Sequence, residues 1–259
     1  QLSKKHFIPP LTSGDDFGEQ YIYISTPNKS NVSYKITAIG KPNLATYSGV
    51  VSNSNPVIQI ILDETGNPDL DNDTQLHINR TNLNGNKITD KGLIIEASDV
   101  IYVSIRVNSS QRNNTGPIHG GALVSKGSSA LGKEFRIGGF VNEPEVPFSH
   151  TTFVSMIATE NNTTIDFSDI PTGTLLPSGV VIPQSVILNE GESYIIALGG
   201  NEDPRNLIGK LIKSDKPIVV NSGSASGSFA DNPPAGGTTQ DYGFDQIVGA
   251  DQIGNEYIL

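Results

Sequence analysis

Short apolar runs alternate with polar residues at a period of two, and Gly, Pro, Asn and Ser break the pattern every few residues. That periodicity predicts strands rather than helices. The clearest case is Val100 to Val107, where Tyr102, Ser104 and Arg106 point to one side and Val103, Ile105 and Val107 to the other. Tyr21 and Tyr23 alternate with Ile22 and Ile24, and Val32 to Ile39 follows across Pro27 to Ser30, which reads as a hairpin. Further short strands are expected at Val57 to Leu62, Leu76 to Ile78, Leu93 to Ile95, Ala122 to Val124 and Glu134 to Ile137. In the later part the strand-like runs are Thr151 to Thr159, Thr163 to Phe167, Ser185 to Leu188, Tyr194 to Leu198 and Ile218 to Val220. Ser222 to Thr239 is small, polar and turn-rich, which predicts an exposed loop.

The pattern is also written twice. Leu131-Gly-Lys-Glu-Phe135 recurs as Ile253-Gly-Asn-Glu-Tyr257, 122 residues later by the numbering (253 against 131). Leu93 to Asp99 followed by Ile101-Tyr-Val103 is echoed by Leu211 to Asp215 followed by Ile218-Val-Val220, and Tyr21 to Tyr34 resembles Phe153 to Asp166. Three phrases in one order, with spacings that drift by roughly ten residues, fit paired strands held in register while loops vary. The expected fold is therefore all-β: two tandem, duplicated, antiparallel β-sandwich-like units with little helix. The expected organisation is an extended lead-in over 1–16, a first repeat over 17–142 and a second over 148–259, divided at the Pro-rich Glu143 to Pro147. The chain ends inside an apolar run, so the second repeat is expected to continue beyond it.

Composition supports this reading. The 259 residues include 27 Gly and 16 Pro, and 36% are hydrophobic, which suits many short strands joined by turns. Zero cysteines exclude a disulfide framework, a thiolate metal site and a cysteine nucleophile. A net charge of −10 disfavours nucleic acid, whose phosphates call for Lys and Arg. No apolar run is long enough for a membrane-spanning helix.

Candidate chemistry is sparse. Asp69, Asp71 and Asp73, preceded by Asp63 and Glu64, offer alternating hard oxygen ligands that a loop can bend around calcium. The EF-hand spacing fails, because Thr74 stands at the sixth position and Arg80 at the twelfth, and a solvated acidic loop is the competing reading. Gly127-Ser-Ser-Ala-Leu-Gly-Lys133 has the spacing of a phosphate loop, but Glu134 stands where Ser or Thr is required and would repel phosphate. Gly223-Ser-Ala-Ser-Gly227 has Ala225 in the nucleophile position of an elbow motif. His6, His77, His119 and His150 form no closely spaced metal pair, and His119 beside Gly120-Gly121 reads as a surface residue.

Asn206-Leu-Ile-Gly-Lys-Leu-Ile-Lys-Ser-Asp-Lys-Pro-Ile-Val-Val220, the serine- and glycine-rich stretch after it, Asp241-Tyr-Gly-Phe-Asp-Gln-Ile-Val248 and Ile253 to Tyr257 together resemble the IgG-Fc-binding-protein N-terminal domain family. The resemblance runs from about Tyr21 to Leu259. Tyr242 and Asp245-Gln246 depart from that family's histidine and Glu-Gln pair, and its loop cysteines are missing. Gln1 to Thr12 is similar to the mature N-terminus of large proteins that gliding bacteria export by type IX secretion. These resemblances imply a non-enzymatic, secreted or cell-surface adhesion module. Its partners would be a surface glycan or protein ligand, further β domains of the same chain, and secretion or anchoring machinery. A carbohydrate-active enzyme or accessory module, and a passive structural spacer, are the alternative readings.

Overall fold

The computed structural model describes residues 1–14, 17–40, 47–61, 75–109, 119–140, 150–199, 202–227 and 241–252. Among them, regular structure is strand apart from short 3-10 turns, and no helix is long and apolar enough to cross a membrane. The first seven-stranded sheet contains β1 (Ser3–Ile8), β3 (Phe17–Ser25), β4 (Val32–Ala38), β5 (Tyr47–Val51), β6 (Val57–Ile61), β8 (Leu93–Ser109) and β9 (Gly120–Val124). Between them, β2 (Leu11–Ser13) and β7 (His77–Asn79) form a small parallel pair. The second seven-stranded sheet contains β10 (Gly132–Arg136), β11 (Thr151–Ala158), β12 (Thr163–Asp166), β13 (Ser185–Leu188), β14 (Ser193–Gly199), β15 (Leu211–Gly227) and β16 (Asp241–Ile247).

The two sheets match strand for strand. Their orders are β5-β4-β8-β3-β6 and β13-β12-β15-β11-β14, with β1 and β9 also on β8, and β10 and β16 also on β15. β8 and β15, each 17 residues long, are the spines. The first half of β8 is flanked by β1 and β4 and its second half by β3 and β9. β15 is divided in the same way between β10 and β12, then β11 and β16. One strand thus serves two leaves, and each unit curls into a sandwich-like half-barrel.

The register fixes residue equivalences. Ile95 lies opposite His6 and Ile101 opposite Ser3, across a bulge. Ile212 lies opposite Phe135 and Ile218 opposite Gly132, across a bulge at the same place. Ile95 therefore corresponds to Ile212, and Leu211 to Ile94 rather than to the Leu93 that the phrase similarity pairs with it. Side chains agree: Ser98 Oγ accepts from Ser33 N (3.0 Å), and Asp215 Oδ1 accepts from Thr164 N (2.8 Å). At the spine bends, Thr26 donates to the Val100 carbonyl (2.8 Å) and Thr159 to the Pro217 carbonyl (2.6 Å). Tyr21 falls on Phe153, as the sequence alignment has it.

Strand pairing also assigns segments that the sequence leaves elsewhere. Ser3–Ile8, expected in a lead-in, is hydrogen-bonded to the first spine, and Gly132–Arg136, expected in the first repeat, to the second. The chain passes between sheets in the stretch from Val124 to Gly132, through a 3-10 turn at Gly127–Ala130. Ser222 to Gly227, expected in an exposed loop, is the end of β15, and Ser222, Ser224 and Ala225 are buried there. Its small side chains let β11 and β16 close over the spine on both edges. Residues 228–240, the Pro-rich 143–147 and the second Gly-x-Glu-aromatic phrase at 254–257 lie outside the described residues.

Alternation supplies the core. Ile22, Ile24, Val103, Ile105 and Val107 are fully buried while their neighbours on the other face are not. One continuous apolar cluster spans both units. Ile105→Ala, which deletes a side chain in the middle of the first spine, is expected to cost about 2 to 5 kcal/mol. Urea unfolding of the variant beside the wild type measures it, and a loss below about 1 kcal/mol would contradict this placement.

Candidate functional site

The duplicated sheets use one face differently. In the second unit the face formed by Phe153, Ser155 and Ile157 on β11, Val219 and Asn221 on β15, and Tyr242, Phe244 and Gln246 on β16 is buried. What covers it is the extended stretch 6–13 of the first unit, itself buried throughout. Pro9 and Pro10 keep that stretch extended. Asn221 Nδ2 donates to the Pro9 carbonyl (3.0 Å) and Gln246 Nε2 to the Phe7 carbonyl (2.9 Å). Phe7 packs with Ile157 and Val219 in an apolar cluster of its own.

β16 also closes the free edge of β9. Asp241 Oδ1 accepts from Gly120 N (2.7 Å), Asp245 Oδ1 from Val124 N (3.3 Å) and Gln246 Oε1 from Lys126 N (2.7 Å). Lys126 Nζ pairs with Asp245. Carboxylates and an amide thus occupy the positions of a neighbouring strand's carbonyls. The approach is close enough to require Gly121, because a Cβ there would lie 2.5 Å from Tyr242 Cβ. A second clasp lies elsewhere on the junction: Arg80 donates to the His150 carbonyl (2.7 Å) and Thr151 Oγ1 (2.8 Å), and Lys87 pairs with Glu192 (2.7 Å).

In the first unit the equivalent face is partly exposed. Register places Tyr21 where Phe153 stands, Tyr23 for Ser155, Ser25 for Ile157, Tyr102 for Val219, Ser104 for Asn221 and Arg106 for Gly223. Tyr102 and Arg106 are exposed, Tyr21, Tyr23 and Ser104 half-buried, and Gln59 on β6 extends the row beside Tyr23. The Arg106 guanidinium lies over the Tyr23 ring, 5.1 Å from its centroid, and the Tyr21 and Tyr23 rings are 6.5 Å apart. Each tyrosine combines a flat apolar body with a polar tip, so this face can stack on a ligand and hydrogen-bond to it. The Tyr102, Ser104 and Arg106 side of Val100 to Val107 was legible from alternation, but which side faces outward was not.

Three of the four histidines are buried, and only His119 is half-exposed, packed against Tyr242 at 5.6 Å. His6 Nε2 faces the carbonyls of Ser3 and Ile101 (3.3 Å each), which calls for a proton there, and Nδ1 lies 2.9 Å from Ser125 Oγ. Burial pushes His6 down to about 4, against the weaker opposing pull of those carbonyls. His150 is also pushed down to about 4, first by burial and then by the Arg80 charge. Both rings are neutral parts of the junction at ordinary pH.

The sequence candidates fare unevenly. Asp69, Asp71 and Asp73, with Asp63 and Glu64, lie outside the described residues. Among the described residues no group of three His, Cys, Asp or Glu is arranged to hold a metal ion. Gly127-Ser-Ser-Ala-Leu-Gly-Lys133 is a 3-10 turn followed by strand entry, with Glu134 paired to Lys213 at 3.6 Å. Gly223 to Gly227 is strand rather than an elbow.

The fold is a duplicated, extended β-sheet module, with one copy of a repeated surface buried in the junction and the other partly exposed. The model of the IgGFc binding protein family matches residues 120–259, from β9 through the whole second sheet. The chain belongs to that family. The match is narrower than the stretch from Tyr21 that the sequence resemblance suggests. Comparison with curated proteins gives no match. Tyr242, Asp245 and Gln246 all sit at the junction.

Gln246→Leu strands the Lys126 N–H and the Phe7 carbonyl, and is expected to cost about 2 to 3 kcal/mol. Faster amide exchange across 120–126 and 241–247, with β4 and β12 unchanged, is the measurement, and unaltered exchange there would contradict the junction's role. Acid acts on the same place. The unfolded chain protonates its histidines near pH 6.5 and the folded chain only near 4, so the unfolded state binds more protons in that window. Stability is full above about pH 6.5 and falls as pH drops towards 4, by about 3 kcal/mol for each of His6 and His150. Thermal unfolding between pH 7 and 4 checks this, and His6→Gln with His150→Gln should flatten the dependence; an equal slope in the double variant would refute it.

Proposed function

We propose that this chain is a non-enzymatic extracellular binding module that engages a protein or glycan through the outer face of its first sheet. The observation that carries the reading is the asymmetry between copies. A face that is buried by apolar and amide side chains in the second unit is replaced, position for position, by Tyr21, Tyr23, Tyr102, Ser104 and Arg106 in the first. Membership in the IgGFc binding protein family supports binding as the task and the cell exterior as the place. Fold alone does not transmit a ligand, so antibody is not carried over from the family's name.

The finer reading is an adhesin of a gliding bacterium, exported by type IX secretion and joined to further β domains and to anchoring machinery. It is supported by the resemblance of the phrase Gln1 to Thr12 to such exported proteins.

Isolated 1–259 applied to glycan and protein arrays, and to the surface its parent cell colonises, tests the proposal. The Tyr23→Ala/Arg106→Ala double variant should lose at least about tenfold in binding with its melting temperature within about 2 °C of wild type. Undiminished binding by a folded double variant would discard this face as the site.

A further inference from the structure

The junction shows what this kind of face accepts. In the second unit the ligand of the face is not another flat sheet but one extended stretch of chain, Phe7-Ile-Pro-Pro-Leu-Thr12. Two side-chain amides, Asn221 and Gln246, read its backbone through the carbonyls of Pro9 and Phe7, while Phe7 inserts its ring beside Ile157 and Val219. The paired prolines leave those carbonyls without competing local hydrogen bonds and hold the stretch in an extended form before it binds.

The first unit presents the equivalent positions with no such stretch of the described chain hydrogen-bonded across them and with other side chains: Ser25 and Tyr102 replace Ile157 and Val219, and Val124 and Ala122 replace Gln246 and Phe244. Arg106 takes the place of Gly223 and offers donors to backbone carbonyls, Ser104 takes that of Asn221, and Gln59 adds an amide to the same row. Tyr23 and Tyr102 supply rings with polar tips on a surface suited to proline, whose rigid ring stacks on aromatics with little ordering cost. From this equivalence we infer that the outer face of the first sheet binds an extended, proline-containing peptide segment of a partner protein, laid across β3 and β8 as residues 7–12 are laid across β11 and β15. The inference rests on the binding-face reading above and names its ligand class.

A random-peptide phage library panned on folded 1–259, with selected sequences then synthesised and titrated by fluorescence anisotropy, tests it. Enrichment of proline-containing sequences is expected, with saturable binding in the micromolar range. Affinity should fall at least about tenfold in Arg106→Ala and in Tyr23→Ala, and stay the same in Lys213→Ala on the other sheet. Replacing the prolines of a selected peptide by alanine should weaken it by a similar factor. Selected peptides that lack proline, or that bind the Arg106 and Tyr23 variants as well as wild type, would overturn the inference. If peptides fail while glycan-array binding depends on Tyr23 and Arg106, the face stands as a binding site and the peptide assignment falls. If neither peptide nor glycan binding responds to those variants, both readings fall.

Discussion

The structure depends on covering a sheet that has no polar side of its own. Every residue of β11 and of β14 is buried, so neither face of that leaf can meet water. Its counterpart β3 alternates between buried and half-exposed positions, as a strand with one solvated face must. The second unit therefore needs the first. Residues 6–13 supply the cover, and the amides of Asn221 and Gln246 satisfy backbone carbonyls that would otherwise be trapped in an apolar interface. That single requirement explains why the apolar core is continuous through both units, why β16 crowds β9, and why His6 and His150 are held neutral inside.

Much of the architecture was legible in the sequence. Period-two alternation located most strands, and the similarity of Tyr21 to Phe153 gave the correct register for β3 and β11. Both succeed because a strand that buries one face cannot slip without exposing it. Of what escaped, three cases have a clear physical reason. Ser3–Ile8 looks like a lead-in because the bulge after Ser3 and the short polar run at Lys4 and Lys5 hide its alternation. Ser222 to Gly227 looks like a loop because small residues signal turns equally well as tight packing on both faces, and only the neighbours distinguish them. Leu93 was matched to Leu211 because identity of residue type outweighs register when a phrase is short.

The site was legible in part. Tyr102, Ser104 and Arg106 were placed on one side of their strand, but a polar-aromatic face becomes a candidate only once its duplicate is seen to be occupied. Sequence comparison within the chain cannot show this, since Phe153 and Tyr21 read alike as strand aromatics. The acidic run at Asp69, Asp71 and Asp73 attracted attention through composition, whereas the face has no dense cluster of charge to announce it. Tyr242, Asp245 and Gln246 are likewise intelligible only as partners of β9 and of Phe7.

The equal spines carry a consequence for how such a chain can diverge. Both are 17 residues long, while the stretch joining β6 to β8 runs over residues 62–92 and its counterpart joining β14 to β15 only over 200–210. A single residue inserted within β8 would turn every later side chain over, sending Arg106 into the interior and Ile105 into water. Inheritance can thus lengthen the connections almost without limit, yet must keep the spine at constant length. The spine is the ruler against which distant members of such a lineage can still be aligned after their loops have lost all likeness.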